Sequence, residues 1–158
     1  MSERQHATRL ISSPAAEIFS VLCDPQGHVA IDSSGMLQDA SGVPVNAVGD
    51  RFVVHMDREA LGDFPEMGRY DVTVIITAYD PGRHIAWTID GAIQPPIGHV
   101  FGYQLQESEG GTEVTSYCDW SNAHEKWKRI FPIIDEAALK GTLGILDRTV
   151  RRGYPQPN

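Results

Sequence analysis

The stretch PIIDEAALKGTLGILDRTVRR, residues 132–152, predicts the one long helix of the chain. Pro132 suits the first helical position because its missing N–H would have no partner there. Gly153 suits the position that follows the last turn. A helix of about 20 residues is roughly 30 Å long, so its apolar stripe needs a large surface to pack on. The stripe recurs at i, i+4, i+7 and i+11 and consists of Leu139, Leu143, Leu146 and Val150.

The sequence before this helix opens with one strand and two short helices. Residues 5–12 predict the strand. Ser13 is the expected cap of the first helix, and Pro14 its first residue. Asp24 and Pro25 end that helix, and residues 25–31 predict a second one.

Alternation of apolar and polar side chains then predicts a run of strands. A brief edge segment at 36–39 precedes five longer strands, at 50–57, 69–79, 84–90, 99–107 and 112–120. Short connections between successive strands indicate an antiparallel meander. Bunched strands exclude a doubly wound sheet, in which strands and helices alternate. The expected fold is α+β, one domain over residues 1–158, with a bent antiparallel sheet of about six to seven strands wrapped around the C-terminal helix.

Composition and charge restrict the kinds of partner that the protein can bind. The formal net charge is −8, which argues against a nucleic acid or an anionic membrane as the main partner. No apolar run approaches the ~18 residues of a membrane-spanning helix, and the first residues lack the apolar region of a secretion signal. Cys23 and Cys118 are too few for a disulfide framework, so we expect buried thiols in a cytoplasmic protein. A monomer and a homodimer are both consistent with the sequence.

The chain resembles the START-like superfamily, also called SRPBCC or helix-grip, and within it the polyketide cyclase/dehydrase group. The resemblance covers nearly the whole chain. It rests on the order of the elements, on ISSPAAEIF at 11–19, on WTI at 87–89, and on Val114-Thr115 before Trp120. It implies a deep apolar cavity between the sheet and the C-terminal helix, filled in different members by lipids, hormones, polyketides or aromatic metabolites. Fold alone does not decide among these functions.

An aromatic inner face of the sheet agrees with such a cavity. Buried Tyr and Trp rings can orient a polar group of a ligand through their O–H and N–H groups. The alternative is that the rings fill a closed core. The residues predicted to line the cavity are Tyr70, Trp87, His99, Phe101, Tyr103, Cys118 and Trp120 from the strands, and Leu139, Leu143 and Leu146 from the helix.

His99 and Tyr103 are the candidates for acid–base chemistry. An imidazole with a pKa near neutrality could abstract a proton from an activated methylene group or polarise a carbonyl. The preferred interpretation of His99, however, is a solvated histidine at the start of a strand. The sequence contains no nucleotide-binding loop and no histidine pair with metal-ligand spacing, so we expect neither a cofactor nor a metal.

Two loops carry apolar residues that could fold over a cavity mouth. Residues 58–68 contain Leu61, Phe64 and Met67, and residues 93–98 contain Pro95 and Pro96. We expect the pair to gate the cavity. Alternatively, the apolar side chains pack on neighbouring loops or on a second subunit.

Gly141 and Gly144 lie inside the predicted helix and cost about 1 kcal/mol each relative to alanine. They would allow either close packing against the sheet or space for a ligand. The sequence thus favours the binding of a small apolar, aromatic or polyketide-like ligand. Two alternatives stay open: a cofactor-independent polyketide cyclase or dehydratase, and an interaction protein without a ligand.

Overall fold

The computed structural model describes residues 2–62 and 65–155. In these residues seven strands and three α-helices follow one another along the chain. Their bounds are β1 Arg4–Ile11, α1 Ala15–Cys23, α2 Pro25–Ile31, β2 Leu37–Ser41, β3 Arg51–Asp57, β4 Arg69–Asp80, β5 His84–Asp90, β6 Val100–Ser108, β7 Gly111–Asp119 and α3 Glu136–Arg152. Single 3-10 turns at Pro65–Met67 and Lys128–Ile130 complete the regular structure.

The seven strands form one antiparallel sheet in the order β1-β7-β6-β5-β4-β3-β2. Its apolar face packs against all three helices, and α3 covers β1 and β7. The α+β helix-grip architecture predicted from the sequence is therefore confirmed. Alternation within each strand supplies the buried face: Phe52 and Val54 lie inside on β3, and Val72, Val74 and Ile76 lie inside on β4.

Helix α3 begins four residues later than the sequence predicts. Pro132 does not occupy the first helical position, because it lies in the loop before the helix. Asp135 is the N-cap instead, and its carboxylate accepts a hydrogen bond from the Ala138 N–H at 2.8 Å. The predicted stop at Gly153 is correct, because its N–H donates to the Val150 carbonyl and its φ is 89°.

The two glycines inside α3 fit neither explanation offered by the sequence. A Cβ atom on Gly141 would find only the Ser33 Cβ atom nearby, at 3.8 Å. One on Gly144 would lie 3.9 Å from a guanidinium nitrogen of Arg9. Neither glycine packs tightly on the sheet, and neither lines the cavity described below. Gly141 is exposed, and Gly144 is half-buried beside β1.

A buried carboxylate joins α3 to the first strand. Asp147 is 8% exposed and accepts hydrogen bonds from the Arg9 Nε at 2.8 Å and the Arg151 Nε at 3.1 Å. A buried charge that is paired on both oxygens avoids most of the desolvation penalty. This contact fixes the side of the helix that faces β1.

The two short helices pack against each other through a glycine. The predicted cap of α1 is wrong: Pro14 is the N-cap, and no side chain caps the helix. On α2, the Asp24 carboxylate accepts a hydrogen bond from the Gln26 N–H at 3.1 Å. Gly27 lies so close to α1 that a Cβ atom there would collide with the carbonyl oxygen of Val21. This close approach places the next residue, His28, inside the protein.

Candidate ligand cavity

An apolar cavity of about 200 Å³ lies between the inner face of the sheet and the helices α2 and α3. We call it the helix chamber. Strands β3 to β7 supply one wall, and α2, the loop after it and α3 supply the other. Its main lining residues are His28, Ile31, Asp32, Val54, Val74, Trp87, Phe101, Tyr103, Ser116, Ile134, Leu139 and Thr142.

A second space of about 400 Å³ adjoins the helix chamber beneath the β3–β4 and β5–β6 loops. We call it the loop chamber. Met56, Val72 and Ile89 line both spaces, so the two chambers meet at these side chains. The loop chamber is completed by Arg58, Met67, Tyr70, Ile93, Pro96, Ile97 and His99.

Near-parallel aromatic rings form one wall of the helix chamber. The ring centroids of Trp87 and Tyr103 are 5.8 Å apart with an interplanar angle of 26°. Those of Trp87 and Phe101 are 6.3 Å apart with an angle of 30°. Strand pairing causes this arrangement, because Trp87 lies opposite Phe101 in the register of β5 and β6. A flat apolar molecule could stack on this wall.

The residues predicted to line the cavity fall into two groups. Six of them line one of the two chambers: Tyr70, Trp87, His99, Phe101, Tyr103 and Leu139. The other four, Cys118, Trp120, Leu143 and Leu146, line neither.

The four residues that line neither chamber are buried in other parts of the core. Cys118 and Trp120 belong to a separate cluster with Ala123, and Trp120 stacks on Phe131 at 5.3 Å. Leu143 and Leu146 pack in the closed part of the core, where α3 meets the sheet directly. Sharing an inward face therefore does not ensure contact with the cavity, because the cavity occupies only part of that face.

His99 is buried, which corrects the expectation of a solvated strand-end histidine. It is 4% exposed, and its ring contacts Phe101 and Phe131 at centroid distances of 5.0 and 5.5 Å. Its Nδ1 atom is a buried ring nitrogen without a hydrogen-bond partner among residues 2–62 and 65–155. Burial lowers the pKa of His99 to about 4. The imidazole is therefore neutral near pH 7 and can act as a base.

Sequence reasoning missed His28. Its Nε2 atom donates a hydrogen bond to the Leu22 carbonyl at 2.8 Å, and its ring lies against Trp87 and Phe52 at 4.7 and 4.9 Å. Burial lowers the pKa of His28 to about 4. A signal was present in the sequence: His28 precedes Ile31 by three residues, and positions i and i+3 share a helix face.

Tyr103 is the second candidate for acid–base chemistry. Burial raises its pKa to about 12, and the neighbouring Ser116 side chain opposes part of that increase. The phenol is therefore neutral near pH 7 and can donate a hydrogen bond into the helix chamber. Tyr103 and His99 line different chambers. They could act together only on a ligand that spans both.

The two loops predicted to gate the cavity contribute unequally to its walls. Met67 and Pro96 line the loop chamber. Leu61 is largely exposed beside Gly35, and the Pro95 carbonyl accepts a hydrogen bond from the Trp127 Nε1 at 2.7 Å. Phe64 lies outside the described residues. Gating by these loops stays a prediction.

A more voluminous depression lies elsewhere. It is a groove of about 1040 Å³ between α1 and the β4–β5 turn, lined in part by Phe19, Cys23, Tyr79, Arg83 and Tyr154. Among the described residues, none of those predicted for the site lines it. The two cysteines, Cys23 and Cys118, are buried free thiols, as the sequence predicts.

No three His, Cys, Asp or Glu side chains of the described chain are grouped in a way that could hold a metal ion. Within the same residues, no helix has the length and the apolar character needed to cross a membrane.

The buried histidines lead to a prediction for acid stability. Folding lowers the pKa of His28 and His99 from 6.5 to about 4. Between these values the unfolded chain binds more protons than the folded one, so the free energy of unfolding must fall as the pH falls from about 6.5 to about 4. We expect a loss of roughly 1.4 kcal/mol per histidine per pH unit in that window.

Urea unfolding at several pH values measures this loss. His28→Phe should reduce the slope by up to about 1.4 kcal/mol per pH unit. His6→Phe, a substitution of the same type at an exposed position, is the control. A slope that is the same in wild type and His28→Phe would contradict the neutral burial of His28.

Comparison with known proteins places the fold. No family model matches the sequence. An uncharacterized protein of Mycobacterium tuberculosis is 29% identical over 115 residues, which cover 72% of this chain and 46% of that protein. The chain thus spans about half the length of the curated relatives that it matches.

Solved structures match over nearly the whole chain. A protein from Chromobacterium violaceum superposes with a TM-score of 0.69 at 14% identity, with both chains fully covered. The AHSA1-like protein from Aeromonas hydrophila gives 0.62 at 17% identity, covering 98% of this chain and 99% of that one. The Aha1 dimer from Colwellia psychrerythraea gives 0.63 at 18% identity, covering 96% and 98%. Together with the long α3 helix held against a seven-stranded antiparallel sheet, these matches show that the chain has the helix-grip fold.

Proposed function

We propose that the chain binds a small, largely apolar molecule in the cavity formed by the two chambers. The observation that carries this proposal is the cavity itself, because a core that only stabilised the fold would close around its aromatic residues. Apolar side chains supply most of the lining, and His28, Tyr103 and His99 supply a few polar groups. Apolar burial would provide affinity, and the polar groups would provide orientation.

The ligand class that fits best is aromatic or polyketide-like. The stacked wall of Trp87, Phe101 and Tyr103 offers flat apolar surface. An apolar cavity of about 150 Å³ can hold a benzene ring, so the helix chamber alone has room for a substituted ring. The loop chamber extends this room for a longer molecule.

Native mass spectrometry of the protein purified from its own host tests the proposal. We expect a retained small molecule that denaturing extraction releases. In its absence, added naphthol should raise the midpoint of thermal unfolding, since saturation at about 100 times Kd stabilises a protein by about 2.7 kcal/mol. A protein that is empty and does not respond to naphthol or a fatty acid would favour a role in protein interactions instead.

A second candidate function is supported by the unpartnered Nδ1 atom of His99. A neutral imidazole at the cavity wall can accept a proton from an activated methylene group, although its lowered pKa makes it a weaker base than a solvated histidine. Ring closure of a polyketide needs little beyond conformational restraint and one such base. The chain would then be a cofactor-independent cyclase or dehydratase.

Turnover of a retained polyketide separates binding from catalysis. His99→Asn should lower kcat by about 100-fold or more while ligand affinity changes little, because general-base catalysis contributes about 100- to 10,000-fold. Tyr70→Phe, a conservative change in the same chamber, is the control and should retain turnover. Equal kcat in wild type and His99→Asn would exclude His99 as the base.

A further inference from the structure

We infer that His28 selects ligands that donate a hydrogen bond: the helix chamber takes a neutral ring that carries a hydroxyl group, with that hydroxyl directed to the Nδ1 atom of His28. This inference rests on the proposed binding function and specifies the ligand class.

The hydrogen bond of His28 fixes the role of its free nitrogen. The Leu22 carbonyl can only accept, so the Nε2 atom of His28, at 2.8 Å, must carry the proton. In a neutral imidazole the other nitrogen is then an acceptor. Within the described chain this Nδ1 atom has no hydrogen-bond partner, although the side chain is only 8% exposed and lines the helix chamber. An acceptor that lines the chamber without a partner in the protein is available to a donor on a ligand.

Two further acceptors in the lining of the helix chamber, Asp32 and Thr142, are already engaged. Asp32 is the carboxylate in its lining, and its two oxygens accept hydrogen bonds from Ser34, Gly35 and Leu37 at 2.6 to 3.2 Å. The Thr142 hydroxyl donates to the Ala138 carbonyl at 3.1 Å and therefore accepts from the Ser33 hydroxyl at 2.7 Å.

The lining also disfavours an anion. No lysine or arginine of the described residues lines the helix chamber, while Asp32 contributes a negative charge. A carboxylate ligand would therefore be buried without a counter-ion, which is costly. A neutral hydroxyl has no such penalty, and the Trp87 ring, 4.7 Å from the His28 ring, places a stacking surface beside the acceptor.

Titration calorimetry with naphthol and methylnaphthalene tests this inference, because the two probes share one ring system and differ in the donor. Wild type should bind naphthol about tenfold more tightly, the value of one buried hydrogen bond. In His28→Phe this ratio should fall to about one, with the affinity for methylnaphthalene nearly unchanged. His6→Phe should keep the wild-type ratio.

The outcomes distinguish the inference from the function on which it rests. If neither probe binds, the proposed binding function fails. If both bind equally to wild type, binding stands and the selective role of His28 is overturned, and this comparison requires no variant. If Tyr103→Phe removes the preference and His28→Phe or His28→Leu keeps it, the acceptor is Tyr103 and the assignment to His28 is wrong.

Discussion

Gly27→Ala is expected to destabilise the protein by at least about 3 kcal/mol. The added methyl group would collide with the carbonyl oxygen of Val21, which belongs to the backbone of α1 and cannot rotate away. The collision can be relieved only if α2 moves away from α1. Such a movement would also break the hydrogen bond from His28 to Leu22 and expose apolar surface between the two helices.

Urea unfolding monitored by circular dichroism measures this effect. Gly141→Ala is the matched control: it makes the same substitution in a helix, at a position where the new methyl group would lie 3.8 Å from its nearest neighbour. That variant should be more stable than wild type by up to about 1 kcal/mol, through helix propensity alone. Equal stability of Gly27→Ala and wild type would show that the two helices are not in such close contact.

Val72→Trp is expected to weaken binding of naphthol by at least about 100-fold. Val72 is a buried residue of β4 and lines both chambers, so an indole ring at this position would occupy the space where they meet. The protein should remain folded, since the side chain enters existing space, and overpacking of a core costs about 1–3 kcal/mol.

Calorimetry on the variant and on Val43→Trp provides the comparison. Val43 is 76% exposed and lies outside the cavity, so its substitution should change neither affinity nor stability appreciably. Wild-type affinity in a folded Val72→Trp protein would place the ligand elsewhere, with the groove beside α1 as the next location to test.

Much of the fold is predictable from the sequence because it depends on the local alternation of apolar and polar side chains. Alternation in the sequence predicts one buried strand face for Phe52 and Val54, and another for Val72 and Val74. In the structure each pair lies on the buried face of its strand. The start of α3 is less predictable. Pro132 has the right residue type for a first helical position, but the backbone at that point enters the helix only after Asp135 caps it.

The site is predictable only in part, because the sequence does not reveal where packing leaves a gap. Trp87 and Tyr103 face the cavity, whereas Trp120 on the same side of the sheet stacks on Phe131 from the loop before α3. His28 and His99 show a second limit. Both are polar residues, and their burial depends on tertiary contacts with Trp87 and Phe131.

The pairing of β1 with β7 limits how fast the chain can fold. Arg4 lies opposite Asp119, and Ile11 opposite Thr112, so one edge of the sheet joins segments more than 100 residues apart in sequence. Closing so long a loop loses chain entropy before any contact compensates for it, and folds with many such pairings form slowly, in milliseconds to seconds. During synthesis β1 must wait, unpaired, until β7 leaves the ribosome, which at about 5–20 residues per second takes about 5 to 20 seconds. Through that interval Ala7 and Ile11 lack the cover they have in the finished protein.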